Sequence, residues 1–205
     1  MTDVGLVDYG MGNLRSVRNA LELLGAHVSV LHDPAGLSKV DRVVLPGVGA
    51  FGVAMANLRK AGWDDALSEY VIHKGRPFLG ICLGLQLLAD RGTEDGEHRG
   101  LGFIAGATVR MEPSADVPMP HIGWNEVRPT IPEGILRGVK PDTCFYFVHS
   151  YVLVPKDPSV VAGVTEYGGD DFVSVVERDN VVATQFHPEK SQKHGLDLLL
   201  RFLAM

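Results

Sequence analysis

The chain has 205 residues, with 19 Lys+Arg against 25 Asp+Glu and a formal charge of -6. That length fits one domain, and with no Lys/Arg-rich block a nucleic-acid backbone is excluded as the expected partner. Met1-Thr2-Asp3-Val4 lacks the basic start of a secretory signal, and the longest apolar stretch, Pro77 to Ala89, is too short and interrupted to span a bilayer. The two cysteines, Cys82 and Cys144, form neither a zinc spacing nor a disulfide framework. The expectation is one soluble, cytoplasmic α/β unit over residues 1–205, with no metal, no cofactor and no membrane partner.

Short β-branched runs alternate with helical patterns through the first ninety or so residues. Val4–Val7 reads as a strand, followed by the glycine-rich loop Asp8-Tyr9-Gly10-Met11-Gly12-Asn13. Leu14, Val17, Leu21 and Leu24 then mark one face of a helix that Gly25 closes. Val28–Leu31 and Arg42–Leu45 are the next strands, the latter leading into Pro46-Gly47-Val48-Gly49-Ala50-Phe51-Gly52. Helical patterns cover Val53–Ala61 and Asp64–Lys74 before the strand Phe78–Ile81. Such alternation predicts an open, mainly parallel sheet with helices on both faces.

After a polar loop, Arg91–Gly102, strand patterns dominate: Thr108–Met111, Trp124–Arg128, Cys144–Val148, Val160–Val164, Val173–Glu177 and Val181–Gln185. They predict an antiparallel extension of the sheet or a small second sheet. A last helix, about Gln192 to Leu203, is expected to bury Leu196, Leu199, Leu200 and Leu203.

The most informative stretch is Phe78-Leu79-Gly80-Ile81-Cys82-Leu83-Gly84-Leu85-Gln86. A strand entering Gly-x-Cys-x-Gly and then a helix is the layout of a nucleophile elbow, with sulfur in place of the more familiar serine oxygen. Cysteine in an apolar run is ordinarily a small buried hydrophobe, and that reading suits Cys144. The flanking glycines reverse it for Cys82. A thiol of ordinary pKa is only a few per cent ionised at neutral pH, so the helix start, with its free N–H groups and dipole, is expected to help it.

A cysteine nucleophile needs a base oriented by a third group. Of eight histidines only His187 has a carboxylate fixed beside it at a strand end, in Gln185-Phe186-His187-Pro188-Glu189. Across a period-two stretch His187 and Glu189 share a side, so Glu189 is expected to hold the imidazole and His187 to move the proton. The Leu83 N–H is one expected oxyanion donor; the loop Gly47-Val48-Gly49 is the other, through Val48 and Gly49. Gln86 follows Cys82 by one helical turn and shares its face. Gly10 and Gly12 do not complete a dinucleotide fingerprint, and Asp3 and Asp8 have no metal-ligand spacing.

Together these segments resemble the class I, triad-type glutamine amidotransferases. The loops at 8–13 and 46–52, with His121-Ile122-Gly123-Trp124-Asn125 and Tyr146-Phe147-Val148-His149-Ser150-Tyr151, are similar to the glutaminase subunits of imidazole glycerol phosphate synthase. The resemblance implies hydrolysis of glutamine through a Cys82 thioester, with Gln86, Glu94, Ser150 and Tyr151 binding the substrate. It also implies a heterodimer with a (β/α)8-barrel cyclase subunit that receives the ammonia. Asn13, Arg18, His121, Trp124, Asn125, Tyr146 and Lys190 are expected on that interface. Alternatives are a glutaminase serving another synthase, a non-catalytic glutamine-binding subunit, and a cysteine hydrolase of esters or peptides.

Overall fold

The computed structural model describes residues 2–112 and 117–205. Strands β1 (Asp3–Val7), β2 (His27–Leu31), β3 (Arg42–Gly47) and β4 (Phe78–Cys82) alternate with helices α1 (Leu14–Leu23), α2 (Phe51–Lys60) and α3 (Trp63–Leu67). A 3₁₀ turn, Pro34–Lys39, precedes β3, and α3 runs on into a π turn at Ser68–His73. Beyond β4 come a single helical turn, α4 (Leu83–Gln86), and the short strands β5 (Arg91–Gly92) and β6 (His98–Arg99). Then follow β7 (Gly106–Arg110), β8 (His121–Glu126), β9 (Arg128–Pro129), β10 (Cys144–His149) and β11 (Tyr151–Pro155). The chain ends with β12 (Val161–Tyr167), β13 (Asp170–Arg178), β14 (Val181–Thr184) and α5 (Gln192–Leu203).

The main sheet has eight strands in the order β2-β1-β3-β4-β14-β13-β12-β9. From β2 to β14 neighbours run parallel; from β14 to β9 they run antiparallel. Both halves of the sequence-based alternative are therefore present. The sheet has an antiparallel extension, and two smaller sheets exist besides, β10-β8 and β11-β7-β5-β6. The polar stretch 91–102, read as loop, contributes β5 and β6 to the latter, and β11 had no counterpart in the expected elements. Strands of two residues carry no periodicity to read.

Helices cover the parallel region on both faces, which is why its central strands β3 and β4 are almost wholly buried. Every residue of β4 is buried. Alternation along β3 sends Val43 and Leu45 into one core with Phe51, Met55, Leu58 and Trp63 of α2 and α3. Val44 enters the other, with Val17 and Leu21 of α1 and Leu198, Leu199 and Phe202 of α5. The buried face of α5 departs from the expected one: Leu199 is buried and Leu200 is exposed, while Leu198, Phe202 and Gly195 complete the contact.

The turn from β4 into α4 is set by close packing. A Cβ at Gly84 would lie 1.9 Å from the Leu45 carbonyl oxygen, and one at Gly80 would lie 2.7 Å from the Gly84 oxygen. The first obstacle is backbone in the centre of β3, which has no flexible end to yield. Gly84→Ala should therefore cost at least about 2 kcal/mol by overpacking. The check is a urea unfolding curve: the midpoint should fall with little change in slope. A midpoint equal to that of the wild type would mean that the turn has room to retreat from β3.

Candidate active site

Cys82 is the last residue of β4 and the residue before α4, and it carries φ 55° and ψ -104°. A side chain rarely adopts that region, and holding one there costs on the order of 1–3 kcal/mol. The strain thus falls on the cysteine itself, while Gly80 and Gly84 supply room for the corner. Its Sγ lies 3.8 Å from the Val148 carbonyl oxygen and 3.8 Å from Gln185 Nε2, a donor to the sulfur. The helix expected after Cys82 is one turn long, ending in tight turns through Leu88 and Ala89. So short a helix has little macrodipole, and the donor that meets the sulfur is Gln185 Nε2.

His187 and Glu189 meet as expected, but by another route. Residues Pro188–Lys190 form a 3₁₀ turn, not an extended stretch, and that turn brings His187 Nδ1 to 2.8 Å from Glu189 Oε1. Both side chains are almost completely buried. Ser191 secures the turn: its hydroxyl donates to the His187 carbonyl at 2.6 Å and accepts from the Tyr146 N–H at 3.0 Å. Burial alone would push the His187 imidazole down. Interactions with Cys82 and then Glu189 outweigh it and raise the pKa to about 9. His187 Nε2 is buried without a hydrogen bond of ordinary geometry, and the Cys82 thiol is the titratable group beside it.

Beside this trio lies a cavity of about 240 Å³, lined by Val48, Gly49, Cys82, Leu83, Gln86, Glu94, Val148, His149, Ser150 and Tyr151. The structure thus brings together every residue expected for the oxyanion site and the substrate. Gly49 adopts φ +114°, a backbone glycine favours. Glu94 Oε2 accepts from the Phe51 N–H at 2.7 Å, tying the loop before α2 to the rim. Gln86 Nε2 donates to the Tyr151 carbonyl at 2.9 Å and to Gln185 Oε1 at 3.3 Å. With both amide hydrogens committed, Gln86 offers a ligand its carbonyl oxygen. A larger hollow of about 670 Å³, between Trp124, Cys144 and the start of α5, includes neither Cys82 nor His187.

Two residues near the thiol had no role in the sequence reading. Gln185 bridges Gln86 and Cys82 while fully buried. A glutamine at the end of an apolar strand is the signal that stood next to His187. Tyr9 is buried with an unpartnered hydroxyl, and a Cβ on Gly47 would lie 2.2 Å from it. Burial, and then the Cys82 charge, raise its pKa.

The residues expected to face a partner divide. Asn13 and Arg18 are exposed on α1, where Asn13 caps the helix and Arg18 pairs with Glu22 at 2.7 Å. Trp124 is exposed, stands 6.0 Å from Tyr146, and Lys190 Nζ lies 5.7 Å over the Tyr146 ring. Asn125 is half-buried. His121 corrects the expectation: it is 3% exposed, stacked on Phe147 and Tyr167, and does not reach the surface. Cys144 is half-buried and unpaired on β10.

A thiol, an imidazole and a carboxylate in series beside a small cavity are equipped for acyl transfer. The chain belongs to the class I glutamine amidotransferases, whose family model matches residues 5–204. Within that class its likeness is to HisH subunits. It is 53% identical over 198 residues to "Imidazole glycerol phosphate synthase subunit HisH" of Aquifex aeolicus, covering 96% of this chain and 94% of that one. It is 48% identical over 199 residues to the protein of the same name from Desulfitobacterium hafniense (strain DSM 10664 / DCB-2), covering 97% and 92%. The fold is shared with PurLQS from Thermotoga maritima, at a TM-score of 0.77 and 17% identity over 100% of this chain and 98% of that one. A glutamine amidotransferase from the same organism gives 0.70 at 17% identity, covering 99% and 96%. No described helix is long and apolar enough to cross a membrane.

The raised His187 pKa has a consequence for stability. A folded state that holds this proton more tightly than the unfolded chain gains its full benefit below the ordinary histidine pKa of 6.5 and loses it as pH climbs through about 9. Glu189→Gln removes one source of the shift. The difference in unfolding free energy between wild type and variant should be widest near about pH 6 and narrow toward about pH 9. Denaturant titrations across that range provide the check; a gap independent of pH would mean that Glu189 does not hold the His187 proton.

Proposed function

We propose that Cys82, His187 and Glu189 hydrolyse glutamine to glutamate and ammonia, and that the ammonia serves a partner subunit. The observation that carries this reading is the Cys82 corner, with the buried His187–Glu189 pair behind it and the 240 Å³ cavity before it. Transfer of the thiol proton to His187 leaves a thiolate, which attacks the side-chain amide carbon of glutamine. The tetrahedral oxyanion meets the Leu83 N–H and the N–H groups of the Val48–Gly49 loop. Protonated His187 returns its proton to the departing nitrogen, ammonia leaves, and a γ-glutamyl thioester remains. Water, deprotonated by His187, attacks that thioester through a second oxyanion and frees glutamate. Glu189 keeps one tautomer and orientation of the imidazole throughout.

The α-groups of free glutamine are held on the other side of the cavity. The Gln86 carbonyl oxygen and the Glu94 carboxylate suit an α-ammonium, and the backbone at Ser150 and Tyr151 suits the α-carboxylate. Gly49 serves the oxyanion loop through its conformation. A Cβ there would face both φ +114° and Met11 Cε at 2.6 Å. Gly49→Ala should lower kcat by about 10²-fold, the scale of losing one oxyanion donor.

The partner in this reading is a (β/α)8-barrel cyclase subunit that makes imidazole glycerol phosphate and aminoimidazole carboxamide ribotide. It would dock over Trp124, Tyr146 and Lys190, with α1 contributing Asn13 and Arg18. An exposed Trp beside a Tyr is the aromatic composition of an interface hot spot, and Lys190 lies over the Tyr ring. The test is a glutaminase assay with and without that cyclase and its ligand. Wild type should release glutamate, and Cys82→Ala should lose activity by about 10³-fold or more. Lys190→Ala should weaken stimulation by the cyclase while Cys82 alkylation in the isolated chain stays unchanged. Equal loss of both would remove Lys190 from the interface, and glutamate release by Cys82→Ala would end the thioester mechanism.

A further inference from the structure

His121 and His149 take no part in the thiol chemistry, yet both are buried and joined in series. His149 Nδ1 lies 3.1 Å from the Tyr151 carbonyl oxygen, so that nitrogen carries the hydrogen. His149 Nε2 is then an acceptor, and it is met at 3.0 Å by His121 Nδ1. His121 Nε2 is in turn an acceptor, met at 3.3 Å by Asn125 Nδ2, which also donates to the Glu166 carbonyl at 2.9 Å. One arrangement of hydrogens satisfies the whole series, and in it both rings are neutral. The surroundings favour that state: Phe147, Tyr167 and Phe172 pack around His121, and Phe147 and Phe172 around His149. Burial lowers the pKa to about 4 at His121 and, with the His121 charge, to about 3 at His149.

The series ends on an atom that matters to the cavity. The Tyr151 carbonyl receives His149 Nδ1–H and Gln86 Nε2–H together. His149 thus closes the corner from β10 into β11 where Ser150 and Tyr151 line the cavity, and the same carbonyl orients Gln86. We propose that Asn125, His121 and His149 form a chain of positioning residues that sets the Ser150–Tyr151 corner and the Gln86 amide for binding the α-groups of glutamine. The proposal rests on the glutaminase reading and concerns substrate affinity, with the bond-breaking groups untouched.

The experiment uses the complex with the cyclase, supplied with its ligand, reading KM and kcat for glutamine separately. Losing the His149 donor should raise KM about tenfold in His149→Leu while kcat changes less than about threefold. His149→Asn keeps a donor near the Nδ1 position and should recover most of the affinity. His121→Phe keeps the ring packing and loses the hydrogen bonds, and it should raise KM by about threefold. Alkylation of Cys82 by iodoacetamide should be unchanged in all three variants, whereas labelling by a diazoketone analogue of glutamine should slow in step with KM. An unchanged KM in His149→Leu overturns the proposal, as does a shared fall in kcat that His149→Asn does not relieve. Should His149→Leu not fold, His121→Phe against His121→Asn decides by the same readouts. Wild-type complex inert toward glutamine would reject the glutaminase reading itself, and the proposal with it.

Discussion

The architecture turns on the parallel pairing of β3, β4 and β14. Parallel strands end at the same edge, so the residues just past their C-terminal ends become neighbours however far apart they lie in the chain. Gly47 of β3 pairs with Cys82 of β4, and Thr184 of β14 pairs with Ile81. The loop with Val48 and Gly49, the thiol of Cys82, and the turn with His187 and Glu189 therefore issue from three adjacent strand ends. No long-range attraction between these groups is needed to assemble them. Burial of β4 on both faces fixes its position, and Gly84 against the Leu45 carbonyl fixes the angle at which the chain leaves it. The unfavourable backbone of Cys82 is held by that packing, and the residue sits between the core and the cavity.

Two buried histidines, His187 and His149, sit within this frame, and their environments drive them in opposite directions. His187 faces a carboxylate and a thiol, and its pKa rises to about 9 despite burial. His149 faces a carbonyl, another imidazole and aromatic rings, and its pKa falls to about 3. Burial acts the same way on both; the difference is the charge of the partner. One ring is thereby suited to hold and release a proton, the other to keep one fixed hydrogen pattern.

The alternation of strand and helix was legible because parallel strands buried on both faces must be continuously apolar, and Val4–Val7, Phe78–Ile81 and the three residues that follow Arg42 are. The elbow was legible because glycine is demanded there by contacts too close for any Cβ. Other features depend on contacts that no local pattern encodes. Leu200 lies where the helical repeat expects burial, yet α5 meets the sheet through Gly195, Leu198 and Phe202, because a glycine there lets the helix approach the Pro188 carbonyl. The helix after Cys82 gives way after one turn to tight turns at Leu88 and Ala89, beyond which the Leu87 and Leu88 carbonyls accept from the distant Leu101 and Ile104 N–H groups. His187 and Glu189 were paired on sequence grounds by a period-two argument, but the pairing is made by a turn that Ser191 secures from β10. Gln185 was visible beside His187, and only its contacts with Gln86 and Cys82 give it a place in the site.

The ribbon of β8 and β10 shows how one period-two pattern separates two roles that adjacent residues hold. In its register Trp124 faces Tyr146 and Ile122 faces Val148, while His121 faces His149 and Asn125 faces Phe145. The first set carries the exposed Trp124 and Ile122; the second packs inward. His121 was grouped with Trp124 because the family resemblance implies both, but an odd separation in a strand places them on opposite faces. The ribbon is one layer thick, so an aromatic surface suited to a partner and a buried hydrogen-bond series lie back to back. Val148, whose carbonyl touches the Cys82 sulfur, belongs to the same strand. A partner docked there, as proposed, would bear directly on the strand that carries Val148 and His149, with no intervening layer to absorb the displacement.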